Sequence, residues 1–228
     1  PTHKPGHLMS SPHPLKRVSI DLSILVVGIT VSLTLEGWQE DRTIRNRLYD
    51  DYSAIQLNLK ADIAQLESVI AEQEASLNNL KGLIDLFENP EGRGLADTEL
   101  PWVSSGNTFF GTSTAYDVSV SSGRFNYFGP TSLHSLLGAV YGHHYPRLDL
   151  NGELLDELYG FHTDRTKRLA LGYSADVSGN NRDSLSYIEL GIELVKSERM
   201  HSAYVRRAHA ALAEMLRAET HLSQALNY

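Results

Sequence analysis

Residues 25–42, LVVGITVSLTLEGWQEDR, contain an abrupt change from apolar to charged positions. Apolar residues dominate from Val18 to Leu35, and a charged stretch that favours a helix begins at Glu36. A helix over the 18 residues from Val18 to Leu35 is roughly 27 Å long, slightly shorter than the roughly 30 Å hydrocarbon core of a bilayer. The pattern predicts a transmembrane helix over residues 18–38.

The flanks of this segment also favour a membrane anchor. Lys16 and Arg17 precede it and Trp38 follows it, as basic and aromatic residues do at membrane surfaces. Gly28 and Ser32 are spaced so that a second transmembrane helix can pack closely against them. A buried core helix is an alternative because the run is short and moderately polar. A cleaved signal is a weaker one because no convincing small-x-small site follows.

Hydroxyl side chains dilute the hydrophobicity of the segment. In a helix, each hydroxyl can donate a hydrogen bond to a carbonyl one turn earlier, which makes it tolerable in lipid. The residues concerned are Ser19, Ser23, Thr30, Ser32 and Thr34.

After Gln39 the apolar positions recur at steps of three and four, which predicts a long amphipathic helix over residues 39–88, interrupted near Gln73. A second proline-free amphipathic stretch predicts a long helix over residues 183–226. The two stripes are expected to pack antiparallel, with self-association of the first helix as the rival arrangement. The apolar positions of the first helix are Ile44, Leu48, Tyr52, Ile55, Leu59, Ile63, Leu66, Ile70, Leu77, Leu80, Ile84 and Phe87.

Residues 89–182 are expected to form short helices and loops. The stretch TSTAYDVSVSSG predicts a short helix with Gly123 as its C-cap, although Val118 and Val120 alternate as in a strand. A further helix is expected to begin at Pro130 and to end before Pro146. The predicted fold is all-α, with one N-terminal transmembrane helix that continues into a long antiparallel helical hairpin or bundle with short capping helices.

The first 17 residues contain four prolines and three histidines and almost no apolar side chains. Such a segment cannot bury enough surface to fold alone, so we expect an extended arm over residues 1–17 that a neighbouring subunit holds. The residues predicted to contact a partner are Pro5, His7, Pro12 and His13 in the arm, together with the aromatic residues Phe125, Tyr127 and Phe128. The aromatic residues have an alternative place in the core.

Composition excludes several classes of function. The net charge of −8 and the absence of a basic block argue against a nucleic-acid partner. The absence of cysteine excludes disulfides, thiolate metal sites and cysteine nucleophiles. The ten histidines show no metal-binding spacing, and we assign them to the polar surface and helix ends. The carboxylates Asp50, Asp51, Glu153, Asp156 and Glu157 fit solvated helix faces, and Ser122 lies outside any nucleophile motif. No catalytic residue, cofactor, metal or small-molecule substrate is therefore predicted.

Two blocks of the sequence resemble an uncharacterised family of bacterial single-span membrane proteins. The anchor of that family reads roughly V-I-G-I-L-I-A-L-Q-I-N-N-W-N-E-E-R, and a later block reads A-Y-E-x-L-x-x-S-G before a short helix. The matching residues are Gly28, Ile29, Leu33, Trp38, Glu40 and Arg42 in the first block, and Ala115, Tyr116, Asp117, Ser122, Gly123, Leu133, Leu137 and Tyr141 in the second.

The resemblance covers residues 20 to about 145, with departures at Glu36 and Gly37 and in the N-terminal arm. It implies a single-pass protein of the bacterial inner (cytoplasmic) membrane with a cytoplasmic N-terminus and a periplasmic helical domain. The flanking basic residues, three on each side, do not decide the orientation by themselves.

These expectations favour a non-catalytic, membrane-anchored accessory subunit whose partners are the lipid bilayer and other membrane-protein subunits. A photosynthetic or respiratory energy-transducing complex is the candidate host. The alternative is a periplasmic sensor or ligand-binding domain that acts through a partner protein. An enzyme is not expected.

Overall fold

The computed structural model describes residues 14–88, 107–126, 130–156 and 185–227. All regular secondary structure in these ranges is helical, which confirms the all-α prediction. The elements are α1 (Pro14–Glu88), α2 (Thr114–Ser121), a 3₁₀ turn (Arg124–Asn126), α3 (Thr131–Ala139), a π-helical turn (Val140–His144), α4 (residues 145–156) and α5 (Leu185–Leu226).

The chain divides into two compact units, residues 1–47 and residues 48–228. In the first unit, the described residues belong to α1. This helix begins at Pro14, so the last four residues of the predicted arm are helical. Proline is favoured in the first turn of a helix because no helical carbonyl requires its missing N–H there. Residues 1–13 lie outside the described part of the chain.

In the second unit, one apolar stripe of α1 is buried against α3, α4 and α5. Its residues follow the three-and-four spacing of the sequence, as Ile55, Leu59 and Leu66 show with no exposed surface. On α5 the matching buried positions include the small residues Ala208, Ala211 and Ala218, which let the two helices approach closely.

Side-chain contacts fix the direction in which α1 and α5 meet. The Gln56 amide donates to the Ser223 hydroxyl at 2.6 Å, and farther along α1 the Gln73 oxygen lies 2.8 Å from Nδ1 of His201. Near the end of α1, the Phe87 ring packs against Gly191, where an added Cβ would lie 2.9 Å from the ring. Residue numbers thus rise along α1 as they fall along α5.

The helix that begins at Thr131 does not end before Pro146, as the sequence analysis predicted. It passes through the π-helical turn and continues into α4. The N–H of Tyr145 bonds to the carbonyl of Val140, five residues earlier, instead of the usual four. This wider turn accommodates a proline, which can donate no hydrogen bond and which clashes with the preceding turn in a regular α-helix.

The predicted short helix over TSTAYDVSVSSG is confirmed as α2, and the strand alternative for Val118 and Val120 is wrong. Gly123 follows the helix with a φ of +73°, a conformation that is costly for residues with a Cβ. The chain then turns into the 3₁₀ turn, which places Phe125 in the core.

Two glycine substitutions test the requirement for glycine at the positive φ of residue 123. Gly123→Ala is expected to lower the free energy of unfolding by about 1–2 kcal/mol because alanine is strained at positive φ. Gly82→Ala, in the middle of α1 with open space around it, is expected to raise it by about 0.5–1 kcal/mol. Thermal and chemical unfolding followed by circular dichroism measures both, and equal effects of the same sign would contradict the interpretation.

Candidate functional site: an exposed apolar helix and a buried polar network

The N-terminal part of α1 exposes a continuous apolar surface. Nine large apolar side chains between residues 22 and 35 are each 49–66% exposed, and an 18-residue window at this end of α1 has a mean hydropathy of 1.4 with none of it buried within the protein. Exposed apolar surface of this extent marks a membrane or protein interaction site. Length and composition allow this helix to cross a membrane. The side chains are Leu22, Ile24, Leu25, Val26, Val27, Ile29, Val31, Leu33 and Leu35.

The exposure of these side chains argues against the core-helix alternative. The threonine hydroxyls of the segment behave as predicted. Thr30 donates to the carbonyl of Val26 at 2.8 Å, and Thr34 donates to the carbonyls of Thr30 and Val31. These bonds remove most of the cost of placing a hydroxyl in an apolar environment.

Gly28 and Ser32 lie one turn apart on the exposed surface of α1, and a Cβ at Gly28 would meet no atom within 4 Å. Trp38, 63% exposed, follows the apolar segment, and the guanidinium carbon of Arg42 lies 5.8 Å from the centre of its ring. The helix α1 also includes Lys16 and Arg17, whose side chains lie outside the described part of the structure.

In the second unit, a buried carboxylate connects three parts of the chain. Asp62 on α1 is 3% exposed, and its Oδ2 accepts hydrogen bonds from the Tyr145 hydroxyl at 2.7 Å and from the Thr112 N–H at 2.9 Å. Burial and the hydrogen bond to Asp62 raise the pKa of Tyr145 well above its usual value, so this hydroxyl stays protonated and acts as the donor. Asp62 thus ties α1 to α4 and to the nonhelical residues 107–113.

A second buried contact explains why the apolar stripe is interrupted at Gln73. This side chain has no exposed surface, and its amide donates to the Asn107 carbonyl at 2.8 Å. Its oxygen, which can only accept, lies 2.8 Å from Nδ1 of His201, so this nitrogen carries the proton and donates it; His201 is 3% exposed. Burial lowers the pKa of His201, which keeps the ring neutral at pH 7.

The same nonhelical segment is held by further bonds along its length. The Phe109 N–H donates to the Tyr204 hydroxyl at 2.8 Å, and the Thr108 hydroxyl donates to Asp156 at 3.1 Å. Residue 111 must be a glycine, because a Cβ at this position would collide with the Tyr145 ring. We refer to the bonds that Asp62, Gln73, His201, Tyr145 and Tyr204 make around residues 107–113 as the polar network.

Two sequence-based assignments of polar residues are corrected here. Asp51, assigned to a solvated face, has a side chain that is 15% exposed and makes a two-point ion pair with Arg124, with N–O distances of 2.9 and 3.1 Å. His201, assigned to the polar surface, is buried in the polar network. The assignment of Asp50 and Glu153 to exposed faces agrees with the structure, whereas Glu157 lies outside the described residues.

Of the residues predicted to contact a partner, only Phe125 lies in the described part of the chain. Phe125 is 5% exposed and packs edge-on against Tyr116, which stacks on Tyr141 with ring centres 4.5 Å apart. Phe125 is therefore a core residue, and its assignment as a docking contact is corrected. Outside the described residues lie Tyr127, Phe128, Pro5, His7, Pro12 and His13.

The side chains of the polar network hold a chain segment in place. Across the described ranges, no three histidine, aspartate or glutamate side chains converge to hold a metal ion. The polar groups of the network are occupied with one another and with backbone atoms. The arrangement orients and fastens a chain segment.

Comparison with known proteins gives one result. A model described as "Family of unknown function (DUF6090)" matches residues 21–167, more than half of the chain, and this range includes both blocks that carried the sequence resemblance. Neither the curated proteins nor the solved structures contain a significant match.

Removing the Asp62 carboxylate tests the polar network. Asp62→Ala leaves the Tyr145 hydroxyl and the Thr112 N–H without their acceptor, and is expected to lower the free energy of unfolding by about 2–4 kcal/mol. Asp62→Asn keeps an oxygen that accepts and should cost less. Asp50→Ala, at an exposed position of the same helix, is the control. The interpretation fails if Asp62→Ala costs no more than Asp50→Ala in denaturation of the detergent-solubilised chain.

The buried histidine predicts a pH dependence with a definite sign. Because the pKa of His201 is lowered on folding, the unfolded chain binds the proton more readily, and stability falls as the pH drops below about 6.5. The slope that this one residue adds is at most about 1.4 kcal/mol per pH unit. His144, whose pKa burial also lowers, contributes in the same direction.

His201→Gln is expected to remove the part of this slope that belongs to His201 when unfolding is measured between pH 7.5 and about 5. His209→Gln replaces an exposed histidine that pairs with Glu74 at 2.8 Å and serves as the control. An unchanged slope in His201→Gln would show that His201 is not the titrating group.

Proposed function

We propose that this chain, which belongs to the family of unknown function DUF6090, is a non-catalytic accessory subunit anchored in a bacterial inner membrane by the first part of α1. The observation that carries the proposal is the continuous exposed apolar surface of residues 22–35. Moving nine exposed large apolar side chains from water into an apolar environment is favourable by on the order of 10 kcal/mol. Insertion into lipid supplies that environment.

The polarity around this surface supports a membrane as the environment. The threonine hydroxyls in the segment bond to the carbonyls of their own helix, as they must where no water is present. Trp38 lies three residues beyond Leu35, at the place where interfacial tryptophans are enriched. Gly28 and Ser32 offer a face on which a transmembrane helix of another subunit packs closely.

The unit that begins at Leu48 has the properties of a structural domain. We propose that α1 and α5 form an antiparallel helical hairpin, which the polar network and the short helices cap. The buried groups in it bind backbone segments and other side chains. Such a domain suits bracing the extramembrane parts of neighbouring subunits, on the periplasmic side if the orientation that the sequence resemblance implies holds.

A ligand-binding sensor domain is the second candidate, and one cavity favours it. The cavity lies between α4 and α5 and has a volume of about 150 Å³. It is smaller than the roughly 300–1,000 Å³ of typical ligand pockets, which places this function second. The lining residues are Asn151, Leu154, Leu155, Met200, Ala203, Tyr204 and Arg207.

Membrane extraction tests the anchor. In a double variant, Leu25→Lys and Ile29→Lys, each lysine costs about 2.5–3.5 kcal/mol at the centre of a membrane helix, so the chain is expected to leave the alkali-resistant membrane fraction. Leu57→Lys introduces the same charge at a leucine that is 71% exposed in the second unit, and should stay in the membrane. Full extraction of the unaltered chain by alkaline carbonate would refute the anchor.

Extraction in mild detergent, followed by native gel separation and mass spectrometry, tests the subunit role. Migration with a fixed set of larger membrane proteins is the expected result, and their identity would name the host, for which a respiratory or photosynthetic complex is the first candidate. Migration as a monomer or small homo-oligomer would contradict this role and favour the sensor domain.

A further inference from the structure

A cationic and aromatic face follows the apolar segment on α1. Trp38, Arg42 and Arg45 are spaced by four and three residues, which places them on one side of the helix, and all three are exposed. The guanidinium carbon of Arg42 lies 5.8 Å from the centre of the Trp38 ring, within the range of a cation–π attraction. We call these three residues the Trp–Arg face.

The acidic residues of this turn lie mainly on the other side of the helix. At 100° per residue, Glu36 and Glu40 are more than 120° from the centre of the Trp–Arg face, and Arg47 lies beside them. Asp41, one turn before Arg45, borders the face and moderates its charge. Although residues 36–47 carry three acidic and three basic side chains, their positive charge is therefore concentrated beside Trp38.

We propose that the Trp–Arg face binds the phosphate group of an anionic phospholipid, an inference that rests on the membrane anchor proposed above. The indole lies at the level of the headgroups, three residues beyond the last apolar side chain of the anchor. One turn farther, the planar guanidinium of Arg42 presents donors in the geometry that phosphate oxygens accept. Headgroup phosphates are concentrated at this depth, which favours a lipid over an acidic side chain of another protein.

The contact of Arg42 with Trp38 makes the site more selective than a single surface charge. The ring restrains the long arginine side chain before the lipid arrives, so less conformational entropy is lost on binding. A net negative lipid is preferred to a zwitterionic one, because no choline group competes for the surroundings of the phosphate and the net negative charge of the lipid attracts the arginines.

Fluorescence quenching of Trp38 tests this inference in the full-length chain. The sequence contains two tryptophans, so Trp102→Phe leaves Trp38 as the only indole. The chain is reconstituted in phosphatidylcholine vesicles that contain the same small fraction of either phosphatidylglycerol or phosphatidylcholine with acyl chains brominated near the headgroup end. The ratio of quenching by the two brominated lipids reports how strongly the anionic lipid is enriched around Trp38.

We expect an enrichment of the anionic lipid of about two- to fivefold at low salt, which decreases as salt screens the charges. Arg42→Gln should bring the ratio close to one. Arg47→Gln, on the opposite side of the helix, removes the same charge and should leave the ratio unchanged. Using the ratio cancels the direct effect of Arg42 on the emission of Trp38.

The alternative outcomes separate the two proposals. Equal quenching by both lipids, or an equal effect of Arg42→Gln and Arg47→Gln, would overturn the phospholipid site while leaving the anchor intact. Absence of quenching by either lipid, in a chain that still resists alkaline extraction, would also overturn the site, because Trp38 would not lie at the headgroups. Absence of quenching together with full extraction would overturn the anchor itself.

Discussion

The hydrogen bonds of Asp62 are the constraint on which the rest of the second unit depends. Nonhelical residues 107–113 lie against α1, α4 and α5, and a backbone N–H or carbonyl that becomes buried there needs a partner. Asp62 supplies an acceptor to this segment and to Tyr145 at once, while Gln73 and Tyr204 satisfy groups closer to its start. The Tyr145 ring, whose hydroxyl donates to Asp62, packs against Tyr141, and Tyr141 stacks on Tyr116.

The sequence predicted those features that depend on local periodicity. The apolar stripe of α1, the short helix ended by Gly123 and the exposed apolar segment all follow from spacing and composition. The polar network could not be predicted, because its partners are separated by as many as 128 positions in the chain. One signal was present: a glutamine interrupts an otherwise apolar stripe, and a histidine occurs in the helix expected to face it. A buried carboxylate such as Asp62 gives no comparable signal, since it resembles any exposed aspartate of a helix.

The two units differ in how their apolar and polar side chains are accommodated. In the described part of residues 48–228, an apolar core is covered by the chain itself, and polar side chains such as Asp62, Gln73 and His201 are paired inside it. In the first unit, the large apolar side chains from Leu22 to Leu35 are exposed, and the hydroxyls of Thr30 and Thr34 bond to their own helix. The second unit thus contains its own apolar core, whereas the first unit exposes apolar side chains that lipid or another subunit can cover. This division agrees with the proposed role of an anchored accessory subunit.

The π-helical turn before α4 has a consequence for how this chain tolerates change. A π turn holds one more residue than the α-helical turn it replaces, so deletion of one residue within Val140–His144 would restore a regular helix. Everything before the deletion would then be turned by about 100° relative to everything after it. Tyr145 would leave Asp62, while Leu133 and Leu137 kept their places in the core. The length of this turn therefore sets the rotational phase between the two halves of the helix, and insertions or deletions here should be far rarer among related chains than substitutions.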